Sequence, residues 1–192
     1  NRILLGNEGA PLKKAIVDSK LGQDLLPHSG MDSVGCEAVF AVGVQGSESD
    51  RAEAFEKLVS DTLEEIASTE IDPEIVEAAF QQAGYQHQEV ARMYPIRMLF
   101  RVMQTWIYDG DPLAFLNMSD RLAECKQRYA NDPNYFNRLI REKLLNNPHQ
   151  VKAVLRPDRH WQTVSDKALA AKMEQLRSQL TEAELQRIAE EA

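Results

Sequence analysis

The chain has 192 residues, 43% of them hydrophobic, and a formal charge of −8, which allows one good core and an appendage. The acidic balance without a basic patch argues against nucleic acid as a partner and leaves room for cationic peptides. No window reaches the roughly 18 apolar residues of a membrane span, so no membrane contact is expected, and Cys36 and Cys125, without a C-x-x-C, favour a reducing compartment over a disulfide framework.

The chain opens on Asn and an abrupt apolar run, Ile3, Leu4 and Leu5. It lacks the basic region, long apolar region and small-residue site of a signal peptide. Residues 2–5 are expected to form a strand, and Pro11 and Leu12 to open a helix running through Ser19. Residues 23–26 are a weaker strand candidate. Residues 35–44, rich in β-branched side chains, form a clearer strand that ends at a turn around Gly46. Asp50 and Glu53 resemble a capping box, with Phe55, Leu58, Val59, Leu63 and Ile66 as the buried face behind it.

Asp-Pro then punctuates the sequence. Asp72-Pro73, Asp111-Pro112 and Asp132-Pro133 each set a capping carboxylate before a proline suited to the first helical position. Helix-periodic residues follow each pair: Ile75, Val76, Ala79 and Phe80; Phe115, Leu116, Leu122 and Cys125; Phe136, Leu139, Ile140 and Leu144. Another helix is expected from near Pro95 to Ile107, carrying Met98, Leu99, Val102 and Trp106. Residues 150–155 complete the elements as a strand placed after Asn146-Asn147-Pro148 and stopped by Pro157. The expected fold class is α+β, a small, mainly antiparallel sheet packed against several helices. A charged C-terminal helical segment follows from a boundary near Arg156-Pro157-Asp158.

That last segment carries the main candidate surface. From residue 167 onward, Leu169, Met173, Leu176, Leu180 and Ala183 recur at four-then-three spacing, an apolar stripe for inter-domain contact or self-association. Each buried Leu or Met is worth roughly 1.5–3 kcal/mol, so the stripe needs a second surface. The sequence therefore reads as a piece of something larger.

Catalytic constellations are not found. His28, His87, His149 and His160 are scattered, and neither His-Glu-x-x-His nor its inverse His-x-x-Glu-His can be written in the chain. His87 and Glu89, two apart on a helix, face different ways. There is no Gly-x-Ser-x-Gly elbow, and the cysteines lack the electropositive setting of a reactive thiolate. His28-Ser29-Gly30 is best read as a loop. The segment from Leu5 to Lys14 reads as a strand-to-helix turn rather than an anion site. Gly43-Val44-Gln45-Gly46 reads as a plain turn, and Asp109-Gly110-Asp111 as a turn leading to a helix cap. No catalytic residue and no metal ligand is therefore expected in this stretch.

Several motifs, in order, resemble one family. Leu4-Leu5-Gly6, Ala10-Pro11-Leu12, Leu21-Gly22 and Phe40-Ala41-Val42-Gly43 are followed by Trp106-Ile107-Tyr108-Asp109-Gly110-Asp111-Pro112, Leu144-Leu145-Asn146-Asn147-Pro148-His149 and Leu155-Arg156-Pro157-Asp158. Their order and spacing resemble the second domain of presequence proteases, a branch of the insulinase/pitrilysin superfamily of zinc peptidases. Leu176, Leu180, Thr181, Glu182, Glu184 and Leu185 resemble part of the helical hairpin that links the two halves of such enzymes, with Thr181 and Glu184 as a capping box at a break. The resemblance implies residues 1–158 as a non-catalytic α+β domain and 159–192 as the first part of the hairpin. It implies four related domains enclosing a chamber for unfolded peptides, with zinc held by a His-x-x-Glu-His motif in the first of them. A catalytic zinc needs three fixed ligands and an open position for water, and none of those ligands maps onto this stretch. The partners implied are the remaining domains of its own protease chain, in bacterial cytoplasm or an organelle matrix. An alternative from another class stays open: a stand-alone interaction module that docks through its C-terminal amphipathic helix.

Overall fold

The computed structural model describes residues 1–32, 37–88, 93–113 and 116–191. Within these the fold is α+β, and the chain divides into two compact units, Asn1–Lys152 and Ala153–Ala192. Cys36, Phe115 and Glu89 lie outside the described residues.

The first unit opens on a helical turn, α1 (Arg2–Leu5), in place of the expected strand. The Asn1 carbonyl accepts from the N–H of Leu4 and Leu5 at 3.0 and 2.9 Å. A strand would send the adjacent Ile3 and Leu4 to opposite faces, whereas in the helical turn both are buried in one core. Gly6 closes the turn at close quarters, since a Cβ there would sit 2.4 Å from the Arg2 carbonyl oxygen. The glycine segment of residues 5–14 is consequently a helix-to-helix turn. It leads into α2 (Pro11–Ser19), which has the expected bounds, with Leu12 and Ile16 buried.

Four short strands form an interrupted antiparallel ribbon. β1 (Asp24–Leu25) pairs with β4 (Val44–Gln45), and β2 (Gly30–Asp32) pairs with β3 (Val39–Ala41), in the register Leu25↔Val44 and Met31↔Phe40. The expected strand of 35–44 is thus broken at Val42 and Gly43, and its first residues lie outside the described ones. At the break the Ser29 hydroxyl accepts from the Gly43 N–H at 3.2 Å, standing in for a ladder bond. His28 and Ser29 lie in the expected loop, and Gly30 begins β2. Gly46 ends the ribbon at φ 65°, in the region glycine adopts without strain.

Helices supply the rest of the unit. α3 (Ala52–Ser68) is entered through a tight turn, Ser49–Arg51. Asp50 lies inside that turn instead of at the helix boundary, so the expected Asp50–Glu53 capping box does not form, and no side chain caps the N-terminus of α3. α4 (Pro73–Gln88) starts as the sequence indicates: the Asp72 carboxylate accepts from the Glu74 N–H at 2.9 Å, ahead of Pro73. Asp132 does the same for the Asn134 N–H at 3.0 Å before α7 (Tyr135–Ile140). Asp111 makes an equivalent bond to the Leu113 N–H, but it organises a turn, and α6 (Met118–Asn131) begins later. Between α4 and α6 runs α5 (Tyr94–Trp106), close to its expected bounds.

The core joins α1, α2, α3, α4 and α7 through Ile3, Leu4, Leu12, Ile16, Leu63, Ile66, Ala67, Val76, Phe80 and Ile140. Phe80, Tyr129 and Phe136 add tilted ring contacts with centroids 5.4–6.4 Å apart, joining α6 to it. The C-terminal end of α3 is closed by α7 and the wide helical turn Arg141–Leu145 that follows it. Asn137 donates to the Ile66 and Thr69 carbonyls at 2.7 and 2.6 Å, and Arg141 donates to the Ala67 carbonyl at 3.0 Å.

Residues 150–155 form no strand. Val151 and Leu155 are 95% and 94% exposed, and no neighbouring strand among the described residues meets this stretch. A β-branched run becomes a strand only when a second edge accepts its N–H and C=O groups.

The second unit consists of α8 (Trp161–Gln179) and α9 (Glu182–Glu191), separated by Leu180 and Thr181.

Candidate functional site

The groups able to do chemistry are dispersed. His28, His149 and His160 are exposed in turns and extended chain, and His87 is on α4. No group of three His, Cys, Asp or Glu side chains among the described residues is placed to hold a metal ion. Cys125 is half-buried on α6, and burial pushes its thiol above the ordinary value, opposite to what a reactive thiolate needs. Asp109 sits at φ 60° just beyond α5, where the Gly110 N–H donates to the Thr105 carbonyl at 2.9 Å and the Asp109 N–H to that of Trp106 at 3.1 Å. That is a helix-closing motif, and it accounts for the Asp109-Gly110-Asp111 run without a cation.

What the molecule offers instead is apolar surface. Leu169, Met173 and Leu176 lie on α8 and are all exposed. Four and three residues apart, they share one face. Leu180 does not continue it. Its backbone is extended, at φ −99° and ψ 141°, and its N–H closes α8 on the Arg177 carbonyl at 3.2 Å. Ala183 falls on α9, after the break. The single helical stripe expected from Leu169 to Ala183 is therefore two pieces, three residues on α8 and a second apolar pair, Leu185 and Ile188, on α9.

The break has a local cause. Glu184 accepts from both the backbone N–H and the hydroxyl of Thr181, at 2.8 and 2.7 Å, while its own N–H reaches the Thr181 hydroxyl at 3.4 Å. This is the reciprocal capping box that Thr181 and Glu184 suggest in the sequence. The hydrogen bonds from Thr181 hold the Glu184 carboxyl below its ordinary pKa.

A second surface escaped the sequence reading. Of the periodic residues noted on α5, Leu99 and Trp106 are exposed, as are Ile96, Phe100 and Ile107, and no residue of α5 is buried. Met98 and Val102 are half-buried. The signal was present as a second periodic set on the same helix: residues 96, 99, 100, 103, 106 and 107 all recur at helical spacing.

No family model matches the chain. Individual proteins do. It is 30% identical over 189 residues to "Protein HypA" of Clostridium perfringens, covering 97% of this chain and 19% of that protein. It is 29% identical over 194 residues to presequence protease 1, chloroplastic/mitochondrial, of Arabidopsis thaliana, covering 98% and 18%. With the mitochondrial presequence protease of Danio rerio it shares 23% identity over 173 residues, covering 90% and 17%. The chain spans less than a fifth of the length of these curated relatives. Along nearly its whole length it is a relative of the presequence proteases, matching a stretch of about 18% of such a protein.

Proposed function

We propose that this chain is a non-catalytic, chamber-forming domain of a presequence-protease-like zinc metalloendopeptidase that degrades unfolded peptides. The observation that carries this reading is the match to presequence proteases over 90–98% of the chain, together with a sequence in which neither zinc-peptidase histidine motif can be written. Residues 1–158 act as the wall domain and 159–192 as the start of the helical connection between the two halves of the enzyme. Zinc and the general base belong to another part of the parent protein, where zinc would lower the pKa of its bound water to about 7. The helices around Leu12, Val76 and Phe80, locked by one core, suit a wall that excludes folded substrates by size.

The relatives' names place them in mitochondria and chloroplasts, which supports an organelle matrix, and bacterial cytoplasm fits equally well. No helix among the described residues is long and apolar enough to cross a membrane. The reading is tested by the full reading frame of the parent gene. It requires a His-x-x-Glu-His motif upstream and continued coding sequence downstream. A frame encoding these residues alone supports the other reading, an interaction module docking through Leu169, Met173 and Leu176.

A further inference from the structure

The break between α8 and α9 is made differently from the other helix ends of the chain. Gly6 closes α1, the Asp109-Gly110 turn closes α5, and Pro11 and Pro73 open α2 and α4. Residues 161–192 hold neither glycine nor proline, so the backbone around residue 180 meets no steric bar to helix. Leu180 is nevertheless extended, at φ −99° and ψ 141°. No residue of α8 is buried, so no core fixes the break. Side chains hold it instead. The Glu184 carboxylate accepts from the Thr181 N–H and hydroxyl at 2.8 and 2.7 Å. Leu180 and Leu185 are both half-buried and occupy the two positions of a hydrophobic staple around that box.

A continuous helix stands against the box. Two helices need two nuclei and leave backbone groups without internal partners at both facing ends, whereas one helix needs a single nucleus and pairs those groups. Running through the break, it would give the Thr181 N–H the Arg177 carbonyl, which now receives the Leu180 N–H at 3.2 Å. The sequence also carries the apolar rhythm of that second state. Leu169, Met173, Leu176, Leu180 and Ala183, at alternating steps of four and three, share one face when the helix runs through. Two local patterns thus compete for the same two residues, one written in hydrogen bonds and the other in periodicity. We propose that Leu180-Thr181 is a two-state joint, held broken by the Thr181–Glu184 box, whose release joins α8 and α9 into one helix. The joined state adds Leu180 and Ala183 to the face of Leu169, Met173 and Leu176. Loss of an N-cap shifts an equilibrium of this kind by about tenfold, so a change at either partner of the box is enough to move it.

Magnetic resonance of the 192-residue chain reads the joint through the Leu180 Cα shift, which separates extended from helical backbone. In the double variant Thr181→Val/Glu184→Met that shift is expected to move from the extended to the helical range, with slower amide exchange at Glu182 and Ala183. Val matches Thr, and Met matches Glu, in helix propensity, so the lost hydrogen bonds are what the variant changes. Adding Glu182→Pro should return Leu180 to the extended range. Proline suits the first position of α9 and favours an extended residue before it, but in a continuous helix its ring meets the Ser178 carbonyl. A double variant whose Leu180 stays extended would overturn the proposal, and so would one in which α9 melts, seen as coil shifts at Leu185 and Ile188. Joining that appears only at high concentration would assign it to pairing of copies and overturn control by the box. A triple variant still helical at Leu180 would overturn the two-state joint.

Discussion

Asn137 shows how one side chain can close a helix belonging to another part of the chain. It is buried, and its amide N–H groups satisfy the Ile66 and Thr69 carbonyls at the end of α3, groups that a helix leaves without internal partners. Asn137→Ala strands both carbonyls and is expected to cost about 2–3 kcal/mol. Asn137→Asp keeps the shape but turns a carboxylate oxygen toward those acceptors, and should cost at least as much. Urea denaturation reads both as a lower midpoint at unchanged slope; a shift equivalent to less than about 0.5 kcal/mol would show that the two bonds matter little. Lys20 gives an opposite case. It ends α2 at φ 54° and ψ 25°, a region that costs side chains other than glycine about 1–2 kcal/mol. Lys20→Gly should therefore raise the midpoint, by roughly 0.5 kcal/mol after allowing for the added freedom of the unfolded chain.

Among the elements, those with a chemical start signal were readable and those defined by tertiary partners were not. Pro11 opens α2, and Asp72-Pro73 opens α4 through a carboxylate bond visible in the structure; Asp72→Ala should lower stability by about 1 kcal/mol. The Thr181–Glu184 box was likewise written in the sequence and sets the break before α9. Residues 2–5 misled because a four-residue apolar run has no period to distinguish strand from helical turn. Residues 150–155 misled for a different reason: their β-branched pattern is genuine, but a strand also needs an edge to pair with. The exposure of the apolar face of α5 was not legible, because spacing reveals a face without revealing what covers it. The stripe from Leu169 to Ala183 was interrupted by a cap stronger than the periodicity.

The same cap gives a pH test at this scale. Because the folded-state pKa of Glu184 is depressed, its contribution is fully present above the ordinary value of 4.5 and is lost as pH falls from there through the lower folded-state pKa. Acidification should loosen the first turn of α9, seen as faster exchange and a shift of the Thr181 amide resonance. Glu184→Gln should remove that titration; an unchanged acid response in the variant would assign it to another group.

On the scale of the whole molecule, a net charge of −8, two compact units and exposed apolar residues on α5 and α8 support the proposed reading of the chain as one part of a larger protein. Left alone, the chain should self-associate through Leu169, Met173 and Leu176, because exposed stripes of this kind seek partners. Light scattering should show a rising mass with concentration, reduced by Leu176→Glu; a monomer at about 100 μM, within the range where exposed apolar surface drives association, would show that the stripe is already satisfied. The account as a whole rests on a division of labour between a wall and a catalytic centre elsewhere in the parent protein. The most direct measurement is zinc content together with turnover of an unstructured peptide, made in parallel on the full-length protein and on the 192-residue chain. The account predicts stoichiometric zinc and turnover in the full-length protein and neither in the chain alone. Tight zinc binding with turnover by the 192-residue chain, or a full-length protein with neither property, would contradict it.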